Sequence, residues 1–315
     1  MAKLPNLDLI VLGSGAMGCL FAARLALAGV EVAILDGWVD GIAAIQTNGI
    51  RLVEEDGAEK KAVLRASTTP EGFPQAKTAL VMVKSWQTRG AAELLKGCLA
   101  PDGLVLTLQN GLGNDAVLSG CFPQAHIAAG VTTAAATLLA PGVTTARGQG
   151  EVVLGEDKRL GELAKWLKKA GFVVRFEKSL TSLQWGKLVV NAAINPLTAL
   201  LNVPNGKLLE DAHIRPVVFA LVDEAVKVAE ELQIELPYPD PQAHVAQVIR
   251  QTAANYSSML QDRRRGAQME LEAITGELLR YGSLAGVDMP THQAIYHLLL
   301  AVQSPPSNGV LEVLN

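Results

Sequence analysis

Leu7-Asp8-Leu9-Ile10-Val11-Leu12-Gly13-Ser14-Gly15-Ala16-Met17-Gly18 is the stretch that decides the fold. An apolar run of strand length ends in glycines spaced Gly-x-Gly-x-x-Gly. Cys19–Ala28 then reads as a good helix stopped by Gly29, and a second apolar run, Val30–Leu35, follows. Strand, glycine loop, helix and strand in that order form the opening unit of a dinucleotide-binding α/β domain. Gly13 permits the turn, Gly15 lets backbone N–H groups approach a pyrophosphate, and Gly18 allows close packing of the helix. With Ser14, Ala16 and Met17 these form the expected phosphate-facing set, because the first amides of a helix have no partner inside it. Asp36 ends the second strand, 18 residues after Gly18. Two roles are open to it. It could bind both hydroxyls of an adenosine ribose and repel a 2′-phosphate, favouring NAD(H), or it could simply cap the next helix. No Arg or Lys lies between Asp36 and Thr47 to serve NADP(H).

Moving outward, short β-rich runs continue at Thr78–Val83, Gly103–Leu108 and Ile127–Thr133, separated by helical segments, which is the rhythm of a parallel sheet. Ile50–Glu54 and Lys60–Ala66 flank Asp56-Gly57 and predict an inserted hairpin. Val152–Leu154 and Phe172–Phe176 flank a helix over Lys158–Ala170. From about Lys178 the pattern becomes helical throughout: Leu180–Leu201, Ala212–Leu232, Pro241–Leu260, Gln268–Leu284 and Pro290–Val302. The reading is an α/β Rossmann-type N-terminal domain with a parallel sheet over residues 1–178, plus an all-α C-terminal domain over 179–315 that would carry substrate and catalysis. Ser304–Asn315 reads as an irregular end.

Length supports this division, since 315 residues are two domains of about 150. Hydrophobic residues make up 49% and charged residues 18%, which excludes disorder and coiled-coil rods. Aromatics are only 4%, so the core is aliphatic. A net charge of −4, from 27 basic and 31 acidic residues, provides no field for a nucleic acid partner. Three cysteines without Cys-x-x-Cys spacing suggest reduced thiols and a cytoplasmic protein. Leu9–Ala23 after Lys3 resembles a secretory core, but Asp8 and three glycines interrupt it. The charge-free stretch Ala116–Ala146 carries Pro123, Gly130, Pro141 and five threonines, so no membrane partner is expected. The five histidines show no His-x-x-x-His or Cys cluster to suggest a metal site. A helical second domain could pair as a homodimer, although no isolated apolar seam demands it.

Chemistry is concentrated in Lys187-Leu-Val-Val-Asn191-Ala-Ala-Ile-Asn195-Pro196. Its three polar residues, at i, i+4 and i+8, span about 80° of one helix face. Asn is a poor mid-helix residue and needs partners when buried, so something polar should face this stripe. Pro196 predicts a kink or helix end that aims the Asn195 amide at a ligand. The bland alternative is a terminal Asn195 bonded to its own backbone and a solvated Lys187. Arg263-Arg264-Arg265 reads as mostly solvated, because consecutive helical side chains point different ways.

The chain resembles the ketopantoate reductase (2-dehydropantoate 2-reductase) family over nearly its whole length. The resemblance is carried by Leu12–Gly18, Val83-Lys84-Ser-Trp86-Gln87, Gln109-Asn110-Gly111-Leu-Gly113, the Lys187, Asn191, Asn195-Pro196 run, Pro204-Asn205-Gly206, and Ser257-Ser258-Met259-Leu-Gln-Asp262 followed by Glu270. It implies reduction of 2-dehydropantoate, a small 2-oxo acid, to pantoate with NADPH. NADH is the alternative that Asp36 raises. Lys187 matches the lysine that gives a proton to the carbonyl oxygen, and Glu270 an active-site glutamate that helps keep Lys187 charged. Asn191, Asn195 and Asn205 match substrate-binding asparagines, and Ser258 a serine that holds the substrate carboxylate. Lys84, Asn110 and Ala136 match contacts near the nicotinamide. Two positions depart from the family pattern. A basic residue that usually follows the second strand is replaced by Asp36-Gly-Trp-Val-Asp40, and the threonine that commonly precedes the glutamate is Met269. Other readings are a reductase of another 2-oxo acid or imine, and a catalytically silent dinucleotide sensor.

Overall fold

The structure is a computed structural model that describes residues 7–71, 73–122 and 127–303. The irregular end expected over Ser304–Asn315 lies outside these residues, as do Pro123 and His126. The chain divides into two compact units. One ends at Leu180 and lacks Asn110–Leu112; the other comprises Asn110–Leu112 and the described residues from Thr181 onward.

The first unit begins with β1 (Leu9–Leu12), α1 (Ala16–Leu27), β2 (Val32–Leu35), α2 (Val39–Asn48), β3 (Ile50–Val53), β4 (Glu59–Ala62), β5 (Arg65–Ser67) and β6 (Ala76–Val81). It continues through α3 (Thr88–Lys96), β7 (Leu99–Thr107), α4 (Asn114–Cys121), β8 (Ile127–Thr132), β9 (Ala135–Ala140), β10 (Val143–Arg147), β11 (Glu151–Gly155), α5 (Gly161–Lys169) and β12 (Val173–Glu177). The large sheet runs β12-β11-β8-β7-β6-β1-β2-β5. In β1 every residue is buried, and alternate residues enter different cores: Leu9 and Val11 one, Ile10 and Leu12 the other. Both faces of the sheet are therefore covered, which is why the strand reads as an unbroken apolar run. Neighbours β6 and β2 lie on opposite sides of β1, so the strand order reverses there and a crevice is left at the carboxyl ends.

Two features depart from the sequence reading. The sheet is mixed, because β11 runs antiparallel to β8. A second, four-stranded sheet, β4-β3-β10-β9, grows from the expected β3–β4 hairpin. Its β9 and β10 come from the threonine-rich, charge-free stretch, where β-branched residues favour strands. This sheet packs on α1, and the buried Thr144 hydroxyl donates to the Ala16 carbonyl at 3.1 Å. A helix with partners on both sides is apolar nearly all round. Gly18–Ala23 and Leu25 are accordingly buried along α1.

The second unit is helical: α6 (Thr181–Leu201), α7 (Lys207–Glu210), α8 (Arg215–Glu231), α9 (Pro241–Gln251), α10 (Ser258–Arg264), α11 (Glu277–Ala285) and α12 (Pro290–Val302). Helix α6 contacts α7, α8, α9, α10 and α12. Of the kink or helix end open at Pro196, the end does not occur, and α6 runs on to Leu201 as the helical pattern predicts. The Thr198 hydroxyl donates to the Ile194 and Asn195 carbonyls just beyond the proline, at 3.0 Å each. The single helix expected over Pro241–Leu260 is two helices, because Ser257 caps a fresh start by accepting from the Leu260 amide at 3.1 Å. The arginine run is also more engaged than expected. Half-buried Arg263 donates to the Ala199 and Leu200 carbonyls at the end of α6. Arg264 stacks on Tyr256 at 4.1 Å, and Arg265 pairs with buried Asp262 at 2.9 Å. Among the described residues no helix is long and apolar enough to cross a membrane.

Candidate active site

The glycine loop lies in the crevice where the strand order reverses. Gly13 has φ +108°, and a side chain there would fall 3.0 to 3.1 Å from the Met82 and Val83 backbone at the end of β6. Gly18 is tighter still, since an added Cβ would sit 1.9 Å from the Gly13 carbonyl oxygen. At Gly15, by contrast, a Cβ would meet nothing within 4 Å. Gly13 and Gly18 are thus required by packing, while Gly15 keeps a space clear. Gly15 begins α1 without any side-chain cap, and the first turn carries no acid. The amides of Ala16, Met17 and Gly18 have no intrahelical acceptor and face an uncapped, electropositive helix start. An anionic pyrophosphate fits such a cradle.

Asp36 is buried beside this loop. Its Oδ2 accepts from the Ser14 amide and the Ser14 hydroxyl at 2.6 Å each, and its Oδ1 accepts from the Trp38 amide at 3.3 Å. It is not the N-cap of α2, a position Trp38 occupies. Asp36 instead joins the end of β2 to the glycine loop. Lys84 begins a 3-10 turn, Ser85–Gln87, with its amide donating to Gln87 Oε1 at 3.1 Å. Ala136 lies in β9, paired with Ala146. Gln109 is a residue the sequence gives no reason to single out beyond its place in a motif. Its amide donates to the Val83 carbonyl at 2.9 Å and Thr88 Oγ1 at 2.8 Å, while its oxygen accepts from Thr107 Oγ1 at 2.9 Å. This side chain pins the carboxyl ends of β6 and β7 together.

The helical unit holds the polar stripe. Lys187, Asn191 and Asn195 occupy successive turns of α6, with Asn195 buried and the other two half-buried. Burial lowers the Lys187 ammonium from its ordinary 10.5 to about 8, against the opposing pull of the Glu270 charge. Glu270 itself is buried, which places a carboxylate in the field of that lysine. Directly after it comes one turn of π-helix, Glu272–Gly276, a feature invisible in sequence and frequent at functional sites. The Ala273 carbonyl in this turn accepts from the Leu112 amide at 3.0 Å. Gly111, with φ +79°, packs so closely there that a Cβ would lie 2.1 Å from the same oxygen. Asn110–Leu112 thereby join the helical unit next to Glu270.

The amides of Asn191 and Asn195 and the Ser258 hydroxyl have no hydrogen-bond partner among the described residues. Asn205 donates from Nδ2 to Thr252 Oγ1 at 2.9 Å, but its buried Oδ1 accepts from nothing described. Four of the expected substrate residues therefore retain unused hydrogen-bonding capacity, which a polar ligand would satisfy.

Residues 9–159 match the family model described as ketopantoate reductase PanE/ApbA, and residues 179–303 match its C-terminal counterpart. The chain belongs to the ketopantoate reductase family. Among curated members, a 2-dehydropantoate 2-reductase from Archaeoglobus fulgidus is 34% identical, over 93% of this chain and 97% of its own. The Halobacterium salinarum 2-dehydropantoate 2-reductase is 32% identical, over 93% and 98%. Among solved structures, a PanE/ApbA family ketopantoate reductase from Ralstonia eutropha superposes with TM-score 0.88 at 29% identity, covering 94% of this chain and 98% of that one. D-mandelate dehydrogenase with NADH and anilino(oxo)acetate gives TM-score 0.88 at 28% identity, with the same coverage. The two-part match agrees with an α/β unit followed by a helical one. Two differently named enzymes thus share nearly this fold.

Proposed function

We propose that the protein reduces 2-dehydropantoate to pantoate, using a reduced nicotinamide dinucleotide held by the glycine loop. The helical unit then serves as the substrate and catalytic domain. The observation that carries this reading is the pairing of Lys187 with Glu270 beside a stripe of amides that no described residue satisfies. A bound reduced nicotinamide supplies the hydride, and NADPH is what the family resemblance implies. As the ketone carbon accepts that hydride, negative charge builds on the carbonyl oxygen. The Lys187 ammonium stabilises this charge and transfers one proton to the oxygen, forming the hydroxyl, and is reprotonated from solvent. A donor whose pKa is about 8 suits this work at neutral pH, being charged yet weak enough in its hold to release the proton. Glu270 favours the charged form of Lys187. Asn191, Asn195, Asn205 and Ser258 orient the 2-oxo acid, with Ser258 donating to its carboxylate. Lys84, Asn110 and Ala136 flank the nicotinamide end.

The likeness to D-mandelate dehydrogenase supports a second substrate reading, an aryl 2-oxo acid. The deciding experiment follows loss of nicotinamide absorbance with 2-dehydropantoate and with benzoylformate in parallel. Preferential turnover of 2-dehydropantoate is expected. Preference for benzoylformate would transfer the assignment to the second reading, and turnover of neither would overturn both.

A further inference from the structure

We propose that this protein takes NAD(H) in preference to NADP(H), and that Asp36 sets the choice. The inference rests on the reading of the chain as a nicotinamide-dependent reductase. It departs from what the family resemblance implies, and it stands on the acceptor geometry at the end of β2.

A carboxylate offers roughly four acceptor sites and no donor. Oδ2 of Asp36 receives two hydrogen bonds, both from Ser14, and Oδ1 receives one, from Trp38. One acceptor site therefore remains on Oδ1. A ribose hydroxyl can donate to it. A 2′-phosphate, with about −1.5 to −2 charges and mainly acceptor oxygens, cannot be accommodated in the same way. The carboxylate also has little freedom to withdraw. Its own amide donates to the Ser67 carbonyl at 3.2 Å, continuing the pairing of β2 with β5. A Cβ at Gly41 would lie 2.3 to 2.8 Å from the Trp38 ring and Ser14 Oγ, so these three groups are packed around the short loop that follows Asp36. The negative charge is felt nearby: burial first, and Asp36 second, push the Cys19 thiol up to about 12.

No basic residue lies beside this arrangement in the sequence. No Lys or Arg occurs from Leu25 to Ile50, and Asp40 adds another acid in the first turn of α2, where an anion would otherwise be favoured. Arg24 is committed to Glu54 at 2.7 Å and to the Gln149 carbonyl at 3.1 Å. Arg51 pairs with Glu59 at 3.5 Å. Arg65 is in register with Ala33, back from the carboxyl end of β2 where Asp36 sits. Lys84 follows β6, and β1 separates β6 from β2 by two strand spacings, about 9.6 Å.

Calorimetric titration of the full chain with NADH and with NADPH tests the proposal by binding rather than by turnover. The wild-type protein should bind NADH at least about tenfold more tightly, and Asp36→Asn should shrink that ratio by improving NADPH affinity. Equal or tighter binding of NADPH by the wild type would overturn the proposal while leaving the reductase reading intact. Binding of neither dinucleotide would overturn the reductase reading itself, and the proposal with it. Because Asp36 organises the loop, Gly37→Arg provides a second variant. A Cβ at Gly37 would meet nothing within 4 Å, so the substitution adds a cation without disturbing the carboxylate. It should tighten NADPH by about tenfold and leave NADH within about threefold. Unchanged NADPH affinity in both folded variants would also count against the proposal.

Discussion

The hydroxyl oxygens of Thr198 and Ser257 lie 2.7 Å apart, joining the last turns of α6 to the start of α10. The direction of this bond follows from proton counting. Thr198 donates to backbone carbonyls at Ile194 and Asn195, so Ser257 must donate to Thr198 while accepting from the Leu260 amide. The pair thereby links Asn195 to Ser258, two expected substrate contacts on different helices.

Thr198→Val should therefore lower stability by about 1–3 kcal/mol, because it leaves a buried Ser257 donor without its acceptor. It should also raise KM for the 2-oxo acid with little effect on dinucleotide affinity. Thr198→Ser should restore both. Thermal melts and steady-state kinetics on the two variants check this, and an unchanged KM in a destabilised Thr198→Val protein would reduce the pair to a structural role.

For Lys187, removal of the proton donor should reduce turnover by about 10²- to 10⁴-fold with dinucleotide binding retained in Lys187→Ala. The wild-type reduction rate should fall as pH rises through about 8, where the ammonium loses its proton. Glu270 raises the lysine's pKa, so Glu270→Gln should move that limb to lower pH. A pH–rate profile of the three proteins reads both effects. Coincident profiles for wild type and Glu270→Gln would remove Glu270 from the assignment.

Two glycines of the same loop should respond differently to alanine. Gly18→Ala places a methyl 1.9 Å from a backbone carbonyl and should destabilise the fold outright. Gly15→Ala meets nothing within 4 Å and should melt like the wild type, yet bind NADH about tenfold or more weakly because the methyl occupies the phosphate cradle. Melting curves paired with titration separate the cases. Unimpaired binding by Gly15→Ala would place the pyrophosphate elsewhere.

Much of this was legible because local chemistry and tertiary role coincide. The Gly13–Gly18 spacing, the apolar β1 and β2 runs, and the hairpin around Asp56-Gly57 each carry their own signal. What escaped was set by partners distant in sequence. Strands β9 and β10 are rich in Ala and Thr, and what secures them, packing against α1 and the pairing of β10 with β3, lies far away in sequence. Pro196 left a kink or a helix end open, and it is the surrounding helices that carry α6 through it. The split between α9 and α10 depends on Ser257 finding both Leu260 and Thr198. Within the site, Lys187 and Asn195 stood out as polar groups in apolar sequence. Gln109 did not, because its role comes from three partners brought together by the strand ends.

Glu224 on α8 gives a prediction about acid stability. Its Oε1 accepts from the Thr291 amide at 2.8 Å, and its Oε2 accepts from the His292 amide at 3.0 Å and lies 2.8 Å from His292 Nδ1. The carboxylate thus caps the start of α12, whose own N-cap residue, Met289, offers no side-chain acceptor. Burial alone would raise the Glu224 pKa, but the bonds from His292 and Thr291 outweigh it and lower the value from 4.5 to about 2. A carboxylate depressed in the folded state adds stability that is complete above the unfolded value and disappears as pH falls through the folded one. The contribution should therefore be intact above pH 4.5 and vanish between there and about pH 2. Glu224→Gln should be less stable than the wild type at neutral pH, by about 1–3 kcal/mol. The difference should close on acidification, as the wild type loses its advantage. Urea midpoints of the two proteins across this range provide the measurement, and a difference independent of pH would show that the carboxylate charge contributes nothing to the cap.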